Sequence, residues 1–139
     1  LGAPEPTPTG CVPAADPLAP VRYRALHRAI LAGLVLSCHD VSEGGLAVAL
    51  AEMCIGGRLG VTVTELPHHD LTTALFAEST GRLIAEVAPD RLDAFVAALD
   101  GTGPVTVLGA ATDDPVLAVP GVPPLAVEAL ADTFTRGDA

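Results

Sequence analysis

Aromatic side chains are nearly missing from these 139 residues, which hold one Tyr, three Phe and no Trp. A core without large rings must be filled by Ala, Val and Leu, whose small volumes bring backbones close together. Lysine is absent, so all seven basic residues are arginines, set against 17 Asp plus Glu for a net charge of −10. That balance leaves no basic footprint for nucleic acid or for an anionic membrane surface. Cysteine is scarce too. Cys11, Cys38 and Cys54 are odd in number and form no C-x-x-C pair, which argues against a disulfide framework or a zinc site and suits a reducing, cytoplasmic setting. No apolar run reaches the ~20 residues of a membrane-spanning helix. The chain opens Leu1-Gly2-Ala3-Pro4 without Met or a charged n-region, so no signal peptide is expected, and a segment cut from a longer polypeptide is.

Apolar residues, by contrast, make up 50% of the chain, enough for one sizeable core in a domain of this length. Proline and glycine punctuate it. Six of the 13 prolines fall within residues 1–20, which read as a lead-in or linker. A single domain is expected over residues 21–136, followed by a short tail at 137–139.

Asp16 and Pro17 are placed to cap and open a first helix, with Pro20 in its first turn. Tyr23, Leu26, Ile30 and Leu34 recur there at helical spacing, while Arg24 and Arg28 share another face, solvated or turned to a partner. A second helix over 43–55 is apolar all round and should be buried, with Gly56-Gly57 as its stop. Strands are expected at 60–64, 82–87, 105–108 and 116–119. Helices are expected at 71–77, capped by Asp70, and at 90–99 and 124–134. This order predicts an α/β fold of the α+β type. Helices would pack on a mixed sheet of about four or more strands, with a split β-α-β, ferredoxin-like character.

The densest chemistry lies in His39-Asp40-Val41-Ser42-Glu43-Gly44-Gly45-Leu46, at the mouth of the second helix. Free first-turn N–H groups and no bulky side chains make such a mouth a place for an anion. Asp40 or Ser42 is suited to cap it, and Asp40 with Glu43 has capping-box spacing. Two adjacent glycines cost roughly 1 kcal/mol each relative to Ala in a helix. Capping alone would not require them, so close approach of a ligand or of another backbone is the natural compensation. His39 precedes the cap as a hydrogen-bonded residue, and no nucleophile with its own base completes a catalytic set around it.

A second constellation, Glu78-Ser79-Thr80-Gly81-Arg82, leads into a strand. It suits either a ligand at the sheet edge, with Arg82 on phosphate or carboxylate, or a plain turn with a surface arginine. His68-His69-Asp70 has the look of a metal cluster. Adjacent histidines in an extended loop should point to opposite sides, however, and Asp70 is needed as a cap, so a solvated turn is expected. Asp113-Asp114 before Pro115 reads as another turn.

Residues 37–52, Ser-Cys-His-Asp-Val-Ser-Glu-Gly-Gly-Leu-Ala-Val-Ala-Leu-Ala-Glu, closely resemble the second-half signature of the phosphoribosylformylglycinamidine synthase family. Residues 75–84 resemble that family's Glu-Ser-Gln-Gly-Arg approach to a strand, and residues 105–109 its following strand and glycine. The resemblance runs over about residues 20–130. It implies the second C-terminal domain of an enzyme whose superfamily includes aminoimidazole ribonucleotide synthetase, selenophosphate synthetase, a hydrogenase maturation factor and thiamine-monophosphate kinase. Another member, such as the hydrogenase factor, is the alternative parent, although its wording differs from Asp40-Val41-Ser42-Glu43-Gly44-Gly45.

The implied reaction uses ATP and glutamine-derived ammonia to convert formylglycinamide ribonucleotide into its amidine in purine biosynthesis. Implied cofactors are ATP or ADP and magnesium in the parent enzyme, with none required by this domain alone. Implied partners are the N-terminal domains of the same enzyme, a glutaminase subunit and a small accessory subunit. The family's magnesium ligands and catalytic histidine lie on parts absent from this chain, so no catalytic or metal residue is expected here. His39 stands where the substrate-binding repeat has Gln, and Thr80 where the motif usually has Gln. The resemblance therefore implies an auxiliary nucleotide or phosphate site, formed by His39, Asp40, Ser42, Glu43, Gly44, Gly45, Glu78, Ser79, Thr80 and Arg82. A non-catalytic interaction module is the rival reading, and the domain alone is expected to be inactive.

Overall fold

The computed structural model describes residues 14–136. Most of the expected lead-in, with Cys11, and the expected tail at 137–139 lie outside the described residues. The chain divides into two compact units.

The first unit is formed by residues 43–77 and 106–136. Its sheet has the order β4-β2-β5-β6, from β2 (Gly60–Val63), β4 (Gly109–Thr112), β5 (Val116–Ala118) and β6 (Leu125–Ala126). The sheet is mixed, since β2 runs parallel to β5 and antiparallel to β4, and β6 is antiparallel to β5. Three helices accompany it: α2 (Gly45–Gly57), α3 (Leu71–Phe76) and α5 (Val127–Arg136). Here α2 is the hub, touching α3, α5, β2 and β5. It buries Leu46, Ala49, Leu50 and Cys54 while Val48 stays 40% exposed. As expected, Asp70 caps α3, its carboxylate accepting the Thr73 backbone N–H at 2.8 Å.

The second unit is formed by residues 14–42 and 78–105. Strand β1 (Ser37–Asp40) pairs antiparallel with β3 (Leu83–Glu86), alongside α1 (Ala19–Leu31) and α4 (Leu92–Ala98), the latter preceded by a short 3-10 turn at Pro89–Arg91. Ala25, Leu26, Ala29, Phe95 and Leu99 form its core, with Leu34, Val35, Leu83, Ala85 and Val87 packed against it.

Several expectations need correction. The buried stripe of α1 is Ala25, Leu26 and Ala29, whereas Tyr23 and Ile30 are 48% and 45% exposed. Small residues let α1 approach its neighbours closely, so the larger apolar side chains fall outside the contact. Asp16 does not cap α1. Leu18 occupies that position, and Asp16 accepts the Leu18 N–H at 2.9 Å. The expected strand at 105–108 is not a strand: the Leu108 carbonyl accepts the Thr64 and Glu65 N–H groups at 2.7 and 3.1 Å, and the regular ladder begins at Gly109. A Cβ at Gly109 would meet the Thr62 carbonyl oxygen, so the ladder can close on β2 only where a glycine permits it. The last helix starts at Val127 because Leu125 and Ala126 are held in β6, whose pairing competes with helix formation. The rings of His68 and His69 do not diverge. Their centroids are 4.2 Å apart, and His68 Nδ1 accepts the Asp70 N–H at 3.0 Å, curling the loop locally.

Candidate functional site

Most of the residues singled out from sequence belong to the second unit. There β1 and β3 are in antiparallel register, with His39 opposite Ile84 and Asp40 opposite Leu83. The ladder runs one step further, as the Val41 N–H donates to the Arg82 carbonyl at 3.0 Å. The start of the first constellation and the end of the second are thus neighbours on one ladder, although Val41 and Arg82 are 41 positions apart in the chain. Val41 is buried between exposed Asp40 and exposed Ser42, as alternation along an extended segment requires.

His39 Nδ1 lies 2.6 Å from the Asp40 carbonyl oxygen. A carbonyl only accepts, so this nitrogen carries the proton. The same nitrogen is 3.8 Å from Asp40 Oδ1. This is an orienting contact, and no activated nucleophile stands beside it. The Cys38 thiol is pushed up from its ordinary range by burial and then by the Asp40 carboxylate, which keeps it protonated at neutral pH. Glu78 and Thr80 are exposed, while Ser79 and Arg82 are half-buried. Burial draws the pKa of the Arg82 guanidinium below its ordinary value.

The remaining three residues, Glu43, Gly44 and Gly45, belong to the first unit. Neither Asp40 nor Ser42 caps α2. Gly44 is the cap, in the left-handed region at φ +79°, with no side-chain cap bond. Gly45 follows at φ +66°. A Cβ on Gly45 would lie 2.6 Å from the Leu75 carbonyl oxygen and 2.9 Å from Phe76 Cα, and one on Gly44 would strike the Val48 side chain. Of the two compensations open at the sequence level, close backbone approach is therefore present, since α2 starts against the end of α3.

One residue had no sequence signal as part of this region. Arg22 of α1 donates from Nη1 to the Gly81 carbonyl at 2.7 Å, and from Nε and Nη2 to the Thr102 carbonyl at 3.1 and 2.9 Å. It also pairs with Asp16 at 2.7 Å. The Leu18 N–H, followed by Arg22, holds the Asp16 carboxyl below its ordinary range. Among the described residues, no group of three or more His, Cys, Asp or Glu side chains gathers to hold a metal ion.

The mixed sheet with its hub helix, and the glycine-opened helix start that follows β1, define the class. The AIR synthase related protein C-terminal domain matches residues 2–121, and the chain belongs to that family. Within it, the chain is 45% identical over 86 residues to phosphoribosylformylglycinamidine synthase subunit PurL of Rhodospirillum rubrum, covering 61% of this chain and 12% of that protein. It is 43% identical over 94 residues to the Lactobacillus helveticus subunit of the same name, covering 68% of this chain and again 12% of the relative. The chain thus spans a small part of the relatives it matches.

Its fold is also that of T. maritima PurL complexed with ATP, at a TM-score of 0.75 and 22% identity over 88% of this chain and 23% of that one. The PurLQS structure from Thermotoga maritima matches with a TM-score of 0.72, at 22% identity, over 86% of this chain and 23% of that one.

Proposed function

We propose that this chain is the C-terminal domain of a phosphoribosylformylglycinamidine synthase acting in purine biosynthesis. The parent enzyme would use ATP, magnesium and glutamine-derived ammonia to turn formylglycinamide ribonucleotide into the amidine. In this reading the domain contributes a nucleotide or phosphate site and no catalytic group, and it is inactive alone. The supporting observation is the Val41–Arg82 backbone bond, which makes the start of the first family-like constellation and the end of the second neighbours. Asp40, Ser42, Ser79, Thr80 and Arg82 would supply hydroxyls, carboxylate and one guanidinium toward a ligand's phosphate and ribose. In this reading magnesium would be held by other parts of the parent enzyme, in the cytoplasm.

The test is the polypeptide carrying this chain, supplied with formylglycinamide ribonucleotide, ATP, magnesium and ammonium. Substrate-dependent release of ADP with formation of the amidine is expected, while residues 1–139 alone release none. Absence of substrate-dependent ADP from the whole polypeptide contradicts the reading.

A second reading, a docking module, draws on α1. Tyr23, Arg24, His27 and Arg28 line an open hollow on its surface, and Ile30 and Leu31 are 45% and 74% exposed. An apolar face with two arginines, on a chain of net charge −10, suits another domain or subunit of the same enzyme.

A further inference from the structure

Arg22 plays no part in either constellation, yet its guanidinium meets the second one directly. Three of its bonds go to carbonyl oxygens of two separate turns, Gly81 and Thr102, and a fourth goes to the Asp16 carboxylate. Its side chain is only 17% exposed. The two turns leave room for it by having no side chains where it lies. A Cβ on Gly81 would stand 3.2 Å from Nη1, and one on Gly103 would stand 2.6 Å from Nη2. Both glycines have positive φ, +79° and +130°, which L side chains rarely adopt. The Thr102 turn is itself pinned, since the Thr102 hydroxyl donates to the Leu99 carbonyl at 2.7 Å and the residue is 4% exposed. A second tie runs parallel to the first, from the Thr80 hydroxyl to the Ala14 carbonyl at 3.2 Å.

We propose that Arg22 is the positioning residue of residues 78–82. It anchors the Gly81 carbonyl to a buried turn, so that Ser79 and Thr80 are presented and Arg82 leads into β3 in the register that meets Val41. Asp16 locks the guanidinium in that orientation. The consequence for ligand binding rests on the nucleotide or phosphate site proposed above. A guanidinium is needed because one planar fork must reach three acceptors in different directions. An ammonium on a flexible stem is a point donor and cannot span them.

The test uses amide hydrogen exchange of the chain without ligand, followed by an ADP titration of its melting temperature. Arg22→Gln is expected to speed exchange at residues 79–83 at least tenfold while amides of residues 50–54 in α2 stay within twofold. Arg22→Lys should not restore protection, and Asp16→Asn, which leaves the arginine in place, should give an intermediate gain. Asp16→Asn also serves alone if Arg22→Gln does not fold. Unchanged exchange at 79–83 in the variants overturns the proposal, and so does an equal rise throughout the chain, which would make Arg22 a general brace. If ADP shifts the wild-type melting temperature, the shift should fall by half or more in Arg22→Gln, and an undiminished shift refutes the positioning role. If ADP gives no shift in the wild type, the nucleotide reading fails, and the exchange data alone decide for or against Arg22.

Discussion

At the residue scale, the paired glycines show how one sequence signal can have two physical causes. Gly44 and Gly45 stood out because two glycines at a helix start are costly, and that cost did imply close approach. What approaches Gly45 is the backbone at Leu75 and Phe76, thirty positions further along and invisible to local spacing. The account predicts opposite signs for two glycines of the same helix. Gly45→Ala places a Cβ at φ +66° and 2.6 Å from a carbonyl oxygen, and should lower unfolding free energy by about 2–3 kcal/mol. Gly56→Ala meets nothing within 4 Å and should raise it by about 0.4–1 kcal/mol. Urea denaturation of both variants checks the pair, and equal effects would show the packing of α2 on α3 to be misread. Arg22 was illegible for a related reason. Two of its three acceptors are backbone carbonyls 59 and 80 positions away, and a carbonyl leaves no mark on a sequence.

At the scale of elements, capping chemistry was readable where the cap is a side chain. Asp70 was legible as the cap of a short helix because its carboxylate, Thr73 and the apolar run lie within one turn. The start of α2 was not, because Gly44 caps by conformation and the good side-chain candidates Asp40 and Ser42 belong to the extended segment before it. Strand limits depended on partners. Residues 105–108 alternate like a strand but form no regular ladder, Leu108 alone bonding beyond β2 through its carbonyl, whereas the poor strand former Gly109-Ala110-Ala111-Thr112 pairs along β2, tertiary contact overriding propensity. The Asp70 cap carries a pH prediction. Bonds from the Thr73 side chain and then its backbone N–H hold the carboxyl below its ordinary 3.8. A carboxyl depressed in the folded state adds stability that is present above the unfolded value and lost as pH falls through the folded one. Asp70→Ala should therefore lower the melting temperature near pH 7. The gap to wild type should narrow as pH drops below about 4. A gap that is constant from pH 7 to pH 3 would show that the ionised cap contributes nothing.

At the scale of the whole molecule, the α/β class and the family were legible because residues 37–52 are a long run in register, and the matched family region covers residues 2–121. The division into two compact units was not, since each unit takes one piece from each half of the chain and no composition shift marks the crossings at 42–43, 77–78 and 105–106. Nor could spacing say that residues 39–42 and 78–82 meet on one ladder, because the intervening α2, β2 and α3 belong to the other unit. Their meeting is what supports a site, now that the Leu75 and Phe76 backbone accounts for Gly45 and a left-handed cap beside the Val48 side chain for Gly44. Calorimetric titration of ADP into the folded chain, wild type against Arg82→Gln, tests that site most directly. The account predicts saturable binding by the wild type that weakens at least tenfold in Arg82→Gln, or about 1.4 kcal/mol, with the variant's circular dichroism unchanged. Equal binding by both proteins, or no heat from the wild type at millimolar ADP, would contradict it.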